Sequence, residues 1–161
     1  MSATYLDFIS HSVEQTRRIG ARLSALAQAG DVFLLQGALG AGKTCFAQGV
    51  AQGLDIPTLP TSPSFVFVNE YTGGRLPLYH IDLYRINDPA EVDSLGLDDY
   101  FYGNGLCVVE WADKALQVLP TGHLLVLMRY IAETKRSLRL APQGKRYQAM
   151  VSEFRQAAFG L

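Results

Sequence analysis

With 161 residues, 48% of them apolar and 18% charged, the chain suits a single domain with a sizeable core and has none of the composition of a disordered or fibrous protein. Its net charge of −1 excludes a global electrostatic pull toward nucleic acid or membrane. Two cysteines, Cys45 and Cys107, both inside apolar segments and without metal-ligand spacing, exclude a disulfide scaffold and read as reduced core residues of a cytosolic protein.

Taken in order, Met1 to Thr4 carries neither a basic region nor an apolar h-region, and the longest strongly apolar run, Leu124 to Met128, is far too short to span a bilayer. A cytoplasmic location is expected, with no membrane partner. Thr4 to Ile9 alternates as a short edge strand does. Ser12 with Gln15 forms a capping box, and Val13, Ile19, Leu23 and Leu26 share one face of a helix expected to end at Gly30.

Asp31 to Gln36 is a buried strand, followed by Gly37-Ala38-Leu39-Gly40-Ala41-Gly42-Lys43-Thr44 and a helix expected to end at Gly53. Strand, glycine-rich turn and helix are the context a phosphate-binding loop requires. Gly37, Gly40 and Gly42 let the backbone wrap so that N–H groups face phosphate oxygens, and the helix start adds more such groups and a positive dipole end. Gly37, Leu39, Gly40, Ala41, Gly42, Lys43 and Thr44, with Cys45 behind them, are the candidate nucleotide contacts. Lys43 reaches the terminal phosphates and the Thr44 hydroxyl is placed to ligate Mg²⁺.

The segment Pro57 to Ser64 is punctuated by prolines and is not helical. Its Thr61, Ser62 and Ser64 hydroxyls lie where a switch segment would meet a terminal phosphate; capping of local turns is the alternative. Phe65 to Tyr71 and Leu76 to Leu83 read as a hairpin joined by Thr72-Gly73-Gly74. Asp88-Pro89-Ala90-Glu91 reads as a helix start.

Leu106 to Glu110 is an apolar strand closed by a carboxylate, the form of a Walker-B strand. Glu110 is therefore a candidate for holding Mg²⁺ through water or for orienting the attacking water. Asp82, late in its own strand, is a similar candidate. His80 shares its face and reads as a hydrogen-bonded neighbour rather than a metal ligand. Trp111 leaves the site on a loop, able to pack or to lie on a nucleotide.

His123 to Ile131 and Ser137 to Leu140 are two more strands, and Lys145 to Phe159 is a closing amphipathic helix. Thr134-Lys135-Arg136-Ser137 begins like the base-reading motif of GTPases but lacks its acid, which favours ATP. Charge is uneven: eight carboxylates and one base lie between Asp82 and Asp113, and seven bases and two acids between Arg129 and Arg155. The pattern predicts one domain over residues 1–161, an α/β fold of the P-loop type. Its central sheet is mostly parallel with antiparallel hairpin strands, helices on both faces, and a ligand at the carboxyl ends of the strands.

Four blocks in order resemble the TsaE (YjeE) family of small bacterial ATPases needed for threonylcarbamoyladenosine in tRNA. They are Gly-X-Leu-Gly-Ala-Gly-Lys-Thr, Thr61-Ser62-Pro63-Ser64-Phe65, His80-Ile81-Asp82-Leu83-Tyr84-Arg85 and Val109-Glu110-Trp111. The resemblance implies ATP or ADP with Mg²⁺, slow hydrolysis dependent on the TsaB–TsaD pair, and only indirect contact with tRNA. It carries over Lys43 and Thr44 as phosphate and Mg²⁺ ligands, Thr61 as the switch-like hydroxyl, Asp82 and Glu110 as the metal and water carboxylates, and Trp111 as the aromatic beside the site. Position 38, usually an acid in that family, is Ala38 here. Two further readings stand beside it: a nucleotide-dependent binding module with negligible turnover, and a small-molecule P-loop kinase. The kinase needs an arginine-bearing lid, and Arg75 and Arg85 are the only bases between Thr44 and Lys114.

Overall fold

The structure, a computed structural model, describes residues 5–38, 40–61 and 67–160. The expectations placed on Leu39, Ser62 and Ser64 lie outside the described residues. Seven strands form one sheet: β1 (Leu6–Ser10), β2 (Val32–Gln36), β3 (Val68–Tyr71), β4 (Leu78–Asp82), β5 (Leu106–Glu110), β6 (His123–Ala132) and β7 (Lys135–Gln143), in the spatial order β1-β7-β6-β2-β5-β4-β3. The central neighbours β6, β2, β5 and β4 are parallel, while β1, β7 and β3 join antiparallel at the two sides. The fold is thus the α/β arrangement expected, with β1 at an edge.

β2 is apolar throughout because both its faces are covered. Phe33 and Leu35 enter a core shared with the helices α1 (Val13–Ala25), α2 (Lys43–Gly53) and α5 (Lys145–Phe159). Val32 and Leu34 enter a second core on the other face, beneath the one-turn helices α3 (Glu91–Ser94) and α4 (Asp98–Phe101). Burying each such side chain contributes about 1.5–3 kcal/mol. The central strands are therefore a rigid base, and what stands at their carboxyl ends is held firmly.

Three expectations change in detail. α1 begins as expected, with Ser12 Oγ accepting the Gln15 N–H at 3.0 Å, although the Gln15 side chain reaches back one residue further, to the N–H of His11. It ends at Ala25 rather than Gly30 because the Asp31 carboxylate takes the N–H of Gln28 at 2.7 Å and turns the chain out of the helix. Its Val13 is 46% exposed, so the buried stripe starts a turn later. After Asp88, whose carboxylate accepts the Ala90 N–H, the helix start leads only to α3 and α4, separated by Gly96 at φ +67°.

α1 and α2 cross with almost nothing between them. A Cβ on Gly49 would lie 2.0 Å from the Arg17 carbonyl oxygen, and one on Gly20 would lie 2.5 Å from that of Phe46. Glycine at both positions is what allows this approach. Among the described residues, no helix is long and apolar enough to cross a membrane.

Candidate functional site

The loop from Gly37 to Thr44 joins the carboxyl end of β2 to the start of α2. Gly37 is required by its neighbour strand, since a Cβ there would stand 2.5 Å from the carbonyl oxygen of Met128 on β6. Gly40 and Gly42 adopt φ of +81° and +102°, a region closed to most side chains. Gly42 caps α2, and among the described residues no side chain makes a capping hydrogen bond to the helix's positive end.

Lys43 is 6% exposed. Its Nζ donates to the Gly37 carbonyl at 2.7 Å and lies 3.6 Å from the centre of the Trp111 ring. Burial pulls its pKa below the ordinary lysine value, opposed by the carboxylates of Glu110, Asp82 and Asp113. The ammonium is thereby held out of water near two acids.

Those two acids arrive from adjacent parallel strands, Asp82 closing β4 and Glu110 closing β5, in direct register. Asp82 Oδ1 accepts the Tyr84 N–H at 2.8 Å. Burial raises its pKa; the Tyr84 bond lowers it and the Glu110 carboxylate raises it again. Glu110, 3% exposed, bonds through Oε2 to Nε2 of the fully buried His80. His80 was expected to be hydrogen-bonded beside Asp82, and its partner is the acid of the next strand. Its Nδ1 has no partner among the described residues, so the neutral form with its proton on Nε2, donating to Glu110, leaves no buried donor unpaired.

Trp111 sits in the left-handed region at φ +60°, a conformation that costs a bulky residue about 1 kcal/mol or more. The strain turns its ring back over Lys43 and against Tyr84, whose ring centre is 5.1 Å away. Lys114 closes the group by donating to the Tyr84 carbonyl and lying 4.9 Å from the Tyr84 ring centre. Tyr84 is inside the His80–Arg85 block but carries no role of its own there, and Lys114 has no signal in the sequence, because a lysine is ordinary until a neighbour's backbone is known.

The structure therefore brings Gly37, Lys43, Asp82, Glu110 and Trp111 together. Thr44 and Cys45 are part-buried in the first turn of α2, so Cys45 is not the core residue expected; it borders a cleft between α1 and the β6–β7 hairpin. Thr61 is exposed, with its N–H on the Tyr71 hydroxyl and the neighbouring Pro60 carbonyl tied to Gln48 of α2. It makes no hydrogen bond to Lys43, Asp82 or Glu110 among the described residues.

The family model described as "Threonylcarbamoyl adenosine biosynthesis protein TsaE" matches residues 10–138, which include the glycine-rich loop, both acids and Trp111. The chain belongs to the TsaE family. It is 42% identical to the Bacillus subtilis tRNA threonylcarbamoyladenosine biosynthesis protein TsaE over 140 residues, 87% of each chain. The Treponema pallidum protein of the same name is 39% identical over 133 residues, covering 83% of this chain and 98% of that one. The crystal structure of Bacillus subtilis YdiB superposes with a TM-score of 0.84 at 36% identity, over 98% of each chain. In this TsaE-family chain the match spans the sheet from the end of β1 into β7, so the site and its support both fall inside it.

Among the described residues, no group of three or more His, Cys, Asp and Glu side chains is arranged to hold a metal ion. Two buried carboxylates in register, Asp82 and Glu110, do fit a hard divalent cation that would keep water among its ligands. Such a cation would relieve the mutual repulsion that helps raise the Asp82 pKa.

Proposed function

We propose that this TsaE-family protein is a P-loop ATPase of the cytoplasm, acting in tRNA threonylcarbamoyladenosine biosynthesis as a partner of TsaB–TsaD and meeting tRNA only through them. The observation that carries the reading is the buried group of Lys43, Asp82 and Glu110 at the mouth of a glycine loop. Nothing about a purely structural turn accounts for one lysine and two acids drawn out of water at the same point.

The loop backbone and the start of α2 bind the phosphates, and Lys43 leaves the Gly37 carbonyl to lie on the terminal pair. Thr44, Asp82 and Glu110 would hold Mg²⁺, which when bound supplies positive charge at the terminal phosphates. Glu110, fixed by His80, orients the water that attacks the terminal phosphorus, with ADP as the leaving group. The Trp111 and Tyr84 rings shield this end from bulk water, which strengthens every charge interaction inside.

Turnover of ATP by the pure chain, alone and with TsaB–TsaD, is the test. Slow hydrolysis accelerated by the pair, together with association, is expected. Absence of both association and stimulation overturns the proposal.

A further inference from the structure

The segment from Pro57 to Thr61 follows α2 with few means of tying itself down, because Pro57 and Pro60 carry no N–H. One peptide in it is nevertheless pinned at both of its polar atoms. Its carbonyl, that of the buried Pro60, accepts Gln48 Nε2 of α2 at 3.2 Å. Its N–H, that of Thr61, donates to the Tyr71 hydroxyl of β3 at 3.3 Å. A planar peptide held from two elements at once has little freedom to rotate, so the place of the side chain that follows is set. That side chain is Thr61, exposed, its hydroxyl without a hydrogen-bond partner among the described residues.

The Gln48 amide is itself oriented from a third element. Arg17 of α1 donates through Nε at 3.1 Å and through Nη2 at 2.9 Å to the one oxygen Oε1, which turns Nε2 toward Pro60. The Arg17 main chain is fixed against the same stretch of α2, since a Cβ on Gly49 would stand 2.0 Å from its carbonyl oxygen. Gln48 comes one turn after Thr44 on α2, so the two share one helix face. The clamp therefore draws the Pro60–Thr61 peptide to the side of α2 that carries Thr44.

We propose that Gln48 is a positioning residue for hydrolysis: with Tyr71 it clamps the Pro60–Thr61 peptide so that the Thr61 hydroxyl faces the phosphate to be transferred, and Arg17 orients the amide that closes the clamp. The inference rests on the ATPase reading above. Gln48 touches no phosphate itself. Its loss acts on the chemical step and leaves the hold on the rest of the nucleotide intact, so ADP, which lacks the transferred phosphate, does not feel the clamp.

Single-turnover ATP hydrolysis with TsaB–TsaD, and calorimetric titration with ADP and Mg²⁺, test it on wild type, Gln48→Glu, Tyr71→Phe, Thr61→Ala and the double variant Gln48→Glu with Thr61→Ala. Gln48→Glu keeps an acceptor for Arg17 but puts a second oxygen where the donor to Pro60 stood. It is expected to slow hydrolysis by about tenfold with ADP affinity unchanged. Tyr71→Phe is expected to slow the same step by less. Because Gln48 acts through Thr61, Gln48→Glu is expected to cost nothing further once Thr61 is alanine. A wild-type rate in Gln48→Glu overturns the assignment, as does an equal loss with and without the Thr61 hydroxyl. A Thr61→Ala variant as fast as wild type overturns it too, and so does a loss of ADP affinity as large as the loss of rate, which would mean a disturbed α2. A wild type that hydrolyses no ATP overturns the ATPase reading itself, a result distinct from all of these.

Discussion

Asp82 and Glu110 face each other across one rung of the β4–β5 pair, and each is pinned by a different group: the Tyr84 backbone for one, the His80 ring for the other. Two carboxylates so placed divide their duties by their surroundings. Because the Glu110 carboxylate acts mainly as charge develops, Glu110→Gln is expected to bind ATP as wild type does and to slow single-turnover hydrolysis by roughly a hundredfold or more. A wild-type rate in that variant would remove Glu110 from the chemistry. His80→Ala is expected to slow the same step by less.

Lys43 rests on the Gly37 carbonyl with its ammonium over the ring of the chain's one tryptophan. A phosphate that draws Nζ away changes the field on that ring. Trp111 emission is therefore expected to shift on titration with ADP. Lys43→Ala is expected to lose that response and on the order of a hundredfold in affinity. An ADP-bound wild type with unaltered emission would show that Lys43 stays where it is.

The two thiols are expected to differ sharply. Burial pushes the Cys107 thiol up to about 12, and its Sγ lies against the Tyr100 carbonyl at 3.2 Å. Cys45 is part-buried at the cleft in front of α2. Alkylation near neutral pH is expected to label Cys45 alone, with ADP slowing the labelling, and to reach Cys107 only on unfolding. Equal labelling of both in the native protein would contradict the placement of β5.

Tyr147 of α5 accepts the Val32 N–H at 2.9 Å, and burial pushes its phenol from 10.0 up to about 12. The folded chain keeps this proton where the unfolded chain has released it. Its contribution is therefore complete below pH 10.0 and is lost as pH rises toward about 12. Tyr147→Phe is expected to be about 1 kcal/mol less stable at neutral pH. That gap, read from denaturant midpoints, closes as the solution is made alkaline; a gap that widened would reverse the sign.

The strands and the glycine-rich loop were legible because each carries its own signal within a few residues. β2 and β5 are continuous apolar runs, and Gly37 to Thr44 has a spacing that few other structures need. Helix ends were less legible, since α1 stops where a carboxylate from residue 31 intervenes. α5 needed no such neighbour, and its expected bounds Lys145–Phe159 stand. Within the site, Lys43, Asp82, Glu110 and Trp111 could be named in advance. The pairing of His80 with Glu110 could not, because it depends on which strand lies beside which. Arg136 was readable as one charge in a basic stretch and as part of Thr134-Lys135-Arg136-Ser137; its bonds to the hairpin carbonyls follow from the bend of that hairpin.

The crossing of α1 over α2 at Gly20 and Gly49 has a mechanical meaning. Side chains between helices act as springs that absorb a push; here one backbone rests directly on another. A displacement imposed on α1 therefore passes to α2 through backbone rather than through yielding side chains, and whatever leans on α1 bears on the helix that follows the Gly37–Thr44 loop.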